Sequence, residues 1–245
     1  MIATAIHHGH HMRDELHPLL AVDDASRLRE EDPFTGEWTV ISDNHIIVDT
    51  SRFEVDLNRV REEAVYFEPE HAWGLTVWKS RPNSSSIDRS LSEYDSFYAH
   101  LHKVFTELKN KHGKFIVYDL HAYNYRRNGP DGEPAECEGN PDVNVGTGTM
   151  GDRAQWAPVI DRFIKDLSGY DFCGRHLDVR ENVKFVGRQM AQWTHGMFPG
   201  SACVLSIDFK KFFMDEWSGQ PDAKQLAAIT DALKFTISGV LEELQ

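Results

Sequence analysis

Apolar residues are arranged along this chain in two alternating patterns. Three runs are short and continuous: IATAI (residues 2–6), KFIVYDL (114–120) and SACVLSIDF (201–209). Runs of that length and content form buried strands. Other segments carry apolar residues at intervals of three and four. In SLSEYDSFYAHLHKVFTELKNKHG, Leu91, Tyr94, Phe97, Leu101, Val104 and Leu108 mark one face of a helix that stops at Gly113. RAQWAPVIDRFIKDL (153–167) and DAKQLAAITDALKFTISGVLEEL (222–244) read the same way. Strands interleaved with helices predict an α/β chain, a mixed central sheet with helices on both faces. With 245 residues and 40% hydrophobic content, the expectation is one large domain over 1–245.

Charge narrows the partners. Twenty-six basic and 39 acidic residues give a formal charge of −13, which repels nucleic acid and anionic membranes, so neither is expected. No apolar run approaches the roughly 20 residues of a membrane span. No basic-then-apolar leader opens the chain either, and a cytoplasmic protein is expected. Cys137, Cys173 and Cys203 lie far apart without a CxxC spacing, so any metal must be held by histidine and carboxylate.

Ligands of open α/β sheets bind beyond the carboxyl ends of the strands. Three polar clusters fall there: His7 and His10 after IATAI, His121 after KFIVYDL, and Asp208 late in SACVLSIDF. A catalytic zinc takes about three protein ligands and keeps a position open for water. His7 and His10, spaced for a turn, and the distant His121 would meet that need. A purification tag would be an uninterrupted run ahead of the native start, whereas HHGHH follows a strand-like segment. His8 and His11 are expected to be solvated. His121 alone reads equally well as a structural histidine, and Asp119 as its partner or as a simple strand-end acid. The stretch 122–152, dense in Gly, Pro, Asn and Asp, is long enough to be a functional loop. Its NVGTGTM lacks the Lys-Ser/Thr ending of a phosphate loop, so no nucleotide site is read there.

SRFEVDLNRVREEAVY (51–66) alternates. As a strand it would place Phe53, Val55 and Leu57 on one face and Arg52, Glu54, Asp56 and Asn58 on the other. Two readings stay open: Arg52 and Arg59 clamp an anionic substrate, or they pair with the neighbouring acids.

AIHHGH, SRFEVDLNR, DLHAYNYRR, NPDVNVGTGTM and SIDFKKFFMDEW, in that order, resemble the N-formylglutamate amidohydrolase family, which is related to zinc carboxypeptidases and aspartoacylases. The resemblance spans nearly the whole chain and is carried by the ordered set. It implies a three-layer α/β/α fold of the zinc-carboxypeptidase kind, one zinc ion, and hydrolysis of an N-acyl acidic amino acid such as N-formylglutamate. The wider group pairs its first two ligands as H-x-x-E and takes a third from a middle strand. By match the ligands are His7, His10 and His121, with histidine at the glutamate position and Glu15 or Glu31 as substitutes for His10. The DLNR match implies that Asn58 and Arg59 hold the substrate carboxylate and that Arg52 stabilises the oxyanion. Tyr123, Asn124, Arg126 and Arg127, which lie closest to His121 in sequence, would shape the substrate pocket or else pack the loop. Asp208 stands where the group carries its glutamate base, and Glu216 competes for that role. A metallopeptidase or deacylase of another small carboxylate-bearing substrate would use the same residues. A non-catalytic metal-binding protein would keep the ligands without turnover. The oligomeric state is not legible.

Overall fold

The computed structural model describes residues 1–244. β1 (Ile2–Ala5) opens the chain and is followed by α1 (Asp24–Glu30), the single turn α2 (Thr35–Trp38) and the short edge strand β2 (His45–Ile47). A long irregular segment leads to α3 (Ser84–His112) and then β3 (Phe115–Tyr123). β4 (Val143–Gly146), α4 (Arg153–Gly169), β5 (Val179–Glu181), α5 (Gln189–Met197), β6 (Ala202–Lys210) and α6 (Ala223–Glu243) complete the order. The three expected helices are present, and each is started by a side-chain cap. Asn83 accepts from the Ser86 N–H, Asp152 from Ala154 and Gln155, and Asp222 from Lys224 and Gln225. α3 ends where Gly113 takes φ +76°, a backbone setting that glycine adopts without strain.

The sheet order is β2-β1-β3-β6-β4-β5. β4 runs antiparallel to β6, while the pairs β1·β2, β1·β3, β3·β6 and β4·β5 are parallel, so the sheet is mixed. Period-two alternation in β3 and β6 sends side chains into two cores. Ile116, Tyr118, Leu120, Leu205, Ile207 and Phe209 pack with residues of α4 and α6 such as Ile160, Phe163, Ile229 and Leu233. Phe115, Val117, Ala202 and Val204 pack on the other face with Leu101 and Phe105 of α3 and Met190 of α5. Helices therefore cover both faces. Asp119, His121, Ser206 and Asp208 continue the second set toward the carboxyl ends, with His121 beside Asp208 in register. The same alternation that builds the core thus delivers polar groups to one spot. No helix of the described residues is long and apolar enough to cross a membrane.

Two local expectations are corrected. Residues 51–58 form turns rather than a strand, and both alternating sets are buried: Phe53, Val55 and Leu57, but also Arg52, Glu54, Asp56 and Asn58. Arg52 and Asp56 pair with each other and Glu54 pairs with Arg13, so these charges are met inside the protein. The polar stretch 122–152 is not wholly loop, because Val143–Gly146 supplies β4 to the sheet.

Candidate metal centre

His7 follows β1 and His121 lies near the end of β3, the adjacent parallel strand. Asp32 joins them from the turn after α1, where its backbone N–H donates to the His7 carbonyl at 2.9 Å. One donor atom from each of the three comes within 4.8 Å of the others, and all three residues are buried. Asp32 Oδ2 lies 3.0 Å from His121 Nδ1 and 3.4 Å from His7 Nδ1. The remaining ring nitrogens face carboxylates: His7 Nε2 is 2.7 Å from Asp56 Oδ1, and His121 Nε2 is 2.9 Å from Asp119 Oδ2. Carboxylates thus stand beside both nitrogens of each ring, Asp32 between the two histidines and Asp56 and Asp119 behind them. An imidazole bonded to a carboxylate, as His7 is to Asp56, is the usual support of a metal ligand.

Electrostatics point the same way. Burial alone would raise the Asp32 carboxyl, but hydrogen bonds and charge from His121 and His7 outweigh it and hold the group well below the usual carboxylate range. Burial opposes the His121 cation, yet Asp119 and Asp32 raise it well above an ordinary imidazole. The Asp119 and Asp32 carboxylates thus favour positive charge at His121. Two imidazole nitrogens and one carboxylate oxygen fit a catalytic zinc site, which adds water or substrate as the fourth ligand.

The donors sit in a cleft of about 630 Å³, part of it open to solvent, also lined by Asp208, Arg52, Asn58 and Tyr123. Asp208 is buried, accepts from Asn144 Nδ2 at 3.2 Å and is pushed up to about 7 by burial. Arg52 donates to Asp56 at 2.8 Å and to the Tyr66 hydroxyl at 3.1 Å, with its guanidinium 4.6 Å from the centre of the Trp73 ring. Burial opposes its charge, and Asp56 outweighs that and raises it. Tyr66 donates a further hydrogen bond to Asp56. Asp56 therefore orients His7 and Arg52 at once. Tyr123 is tied by its hydroxyl to the Pro141 carbonyl.

Other expected residues stand elsewhere. His10, with 40% of its side chain exposed, places Nδ1 2.5 Å from Glu31 and Nε2 3.2 Å from Arg27; it is not among the converging donors. At Gly9, between His7 and His10, a Cβ would lie 2.1 Å from the Asp49 carbonyl carbon, so the chain passes tightly against the segment after β2 there. Neither proposed substitute joins the donors: Glu31 is engaged by His10 and Ser51, and Glu15 by Arg89 and Arg13. His11 is exposed as expected, whereas half-buried His8 accepts from the Gly36 N–H at 3.2 Å. Arg59, Arg126 and Glu216 do not line the cleft. Arg59 donates to the His71 carbonyl at 2.9 Å, and Arg126 to that of Pro130. Glu216 accepts from the backbone of Tyr125 and Arg126 at 2.6 and 3.0 Å, anchoring the loop that follows β3.

Asp32, Asp56 and Lys211 were not singled out from sequence. Nothing local distinguishes Asp32 from Glu30 and Glu31 beside it; only the fold returns it to His7. Lys211, fully buried, donates to the carbonyls of Arg29 (2.6 Å) and Glu31 (2.7 Å) and so fixes the chain that presents Asp32. Burial pushes its ammonium down to about 8.

The N-formylglutamate amidohydrolase of Ralstonia eutropha JMP134 superposes with a TM-score of 0.77 at 13% identity, over 99% of this chain and 93% of that one. A gene product of Agrobacterium tumefaciens gives 0.66 at 14% identity, over 99% and 90%. At these identities the likeness is one of fold. No curated protein matches in sequence. The sequence model of the N-formylglutamate amidohydrolases matches residues 1–207 of the 245, and the chain belongs to that family.

Proposed function

We propose that this protein is a metal-dependent amidohydrolase that cleaves the acyl group from an N-acyl acidic amino acid, with N-formylglutamate as the first candidate. The observation that carries the reading is the convergence of His7, Asp32 and His121 in the cleft that Asp208 and Arg52 also line. A zinc ion held by those three residues would polarise the scissile carbonyl and acidify a bound water.

The chain's own groups supply the rest. Asp208, buried and steadied by Asn144, takes a proton from the attacking water and returns it to the departing amine. Arg52 is held by Asp56, Tyr66 and the Trp73 face, so its charge is in position before the oxyanion develops. A donor set in advance in that way is worth roughly 3–4 kcal/mol in the transition state. Asn58 meets the substrate carboxylate, and Tyr123 walls the pocket.

The experiment is a substrate panel of N-formylglutamate, N-acetylglutamate, N-formylleucine and an acidic dipeptide, run with the wild type and with Asp208→Asn. Hydrolysis of N-formylglutamate at least tenfold more efficient than of N-formylleucine is expected. In Asp208→Asn, kcat falls by about 10²–10⁴ with metal content unchanged. Preference for the dipeptide would instead make the protein a peptidase, and undiminished turnover in Asp208→Asn would remove Asp208 as the base.

A further inference from the structure

Four cationic side chains line the cleft: Arg52, Arg127, Arg188 and Lys211. Three are committed. Arg52 is paired with Asp56, Arg127 forks Glu30 through two bonds of 3.1 Å, and Lys211 is spent on two backbone carbonyls. The Arg188 guanidinium, on an exposed residue of the cleft wall, makes no hydrogen bond and no ion pair among the described residues. Burial, followed by the charges of Arg59 and Arg52, lowers its guanidinium from the usual value. A free cation beside two other cations marks a place where an anion is stabilised.

The local backbone brings a second donor to the same place. Gly187 takes φ +94°, the setting that glycine tolerates, and Arg188 follows it as the residue that starts α5. Asn58 Oδ1 accepts from the Met190 N–H of that first turn at 3.0 Å. That bond uses the amide oxygen. It leaves Nδ2, without a partner among the described residues, at the cleft that Asn58 lines while only 7% exposed. Arg59, by contrast, is turned to the His71 carbonyl and lies 3.6 Å from Asp56.

We propose that Arg188, with the Asn58 amide, binds a carboxylate of the substrate, the task that the DLNR motif suggests for Arg59, and that Arg188 thereby selects anionic over neutral substrates. The proposal rests on the amidohydrolase reading above and adds the residue that sets its specificity. A guanidinium fork against a carboxylate gives two parallel charge-assisted bonds, which lysine does not reproduce.

The test compares the wild type, Arg188→Gln and Arg188→Lys on N-formylglutamate and its two monoamides, one lacking the side-chain carboxylate and one lacking the α-carboxylate. Binding of free glutamate to each protein is measured by calorimetry. In the wild type, one monoamide is turned over about 10–100-fold less efficiently than N-formylglutamate. Arg188→Gln loses that discrimination, through KM rather than kcat, and binds glutamate at least tenfold more weakly; Arg188→Lys recovers part of the loss. The monoamide whose handicap disappears identifies the carboxylate read. If Arg188→Gln keeps the wild-type discrimination and glutamate affinity, the proposal is overturned while the amidohydrolase reading stands. If the wild type hydrolyses no N-acyl amino acid yet its glutamate binding depends on Arg188, the activity reading fails and the anion site stands. Absence of both hydrolysis and binding overturns the two together.

Discussion

One ring nitrogen each of His7 and His121 and an oxygen of Asp32 converge in one buried region, where a bound metal cation would take an electron pair from each. Asp32 is therefore the residue whose loss most distinguishes this centre from a histidine-only one. Asp32→Ala removes stoichiometric metal from the purified protein, measured by elemental analysis. His10→Ala, which disturbs only the contacts with Glu31 and Arg27, retains it. Metal lost in His10→Ala and kept in Asp32→Ala would reverse the assignment. His7 and His121 were legible because each lies just past or near the end of an apolar run, where side chains converge by topology. Asp32 was not, because its partnership with His7 is a tertiary contact between a turn and a strand end, and an acid after two glutamates carries no local signal. The position of Asp208 in the cleft follows from the same strand-end logic, since Asp208 and His121 are register neighbours on β6 and β3.

Among the elements, α1 and its exit turn present Asp32 to the site, and the Lys211 ammonium just past β6 secures them by binding the Arg29 and Glu31 carbonyls. Lys211→Met leaves both carbonyls without that donor. The expected cost is about 2–3 kcal/mol in unfolding free energy, read by denaturant titration, together with weaker metal retention as Asp32 loses its fixed backbone. Wild-type stability and metal affinity in that variant would show that the turn is held by other contacts. The strands β1, β3 and β6 and the helices α3, α4 and α6 were all legible, because an apolar period of two or 3.6 is imposed by the faces they bury. β4 was hidden in a polar stretch: its four residues include Asn144, buried to serve Asp208 rather than the core. The alternation of residues 51–58 suggested a strand for the opposite reason. Arg52, Glu54 and Asp56 mimic a solvated face, yet they are interior, neutralised by partners such as Asp56 for Arg52 and Arg13 for Glu54.

For the molecule as a whole, acid stability should report on a buried histidine remote from the metal centre. His195 on α5 accepts the Val204 N–H at 3.1 Å through Nε2 and contacts Thr149 through Nδ1 at 3.1 Å, an arrangement that requires the neutral ring. Burial lowers its pKa from 6.5 to about 4. The folded state therefore binds fewer protons than the unfolded state between those values, and stability falls as pH drops from about 6.5 to 4. This one residue contributes up to about 3 kcal/mol of that loss. His195→Gln should flatten that part of the curve; an unchanged slope would assign the acid sensitivity to other groups. The net charge of −13 repels anions at long range, so a cleft for an acidic substrate depends on its own arginines. The central claim is that the His7, Asp32 and His121 centre drives amide hydrolysis in that cleft. Its most direct test is the metal content of the protein and its hydrolysis of N-formylglutamate before chelation, after it, and after zinc is restored. About one ion per chain, turnover abolished on removal and recovered on return is the predicted result. Full turnover by metal-free protein would contradict it.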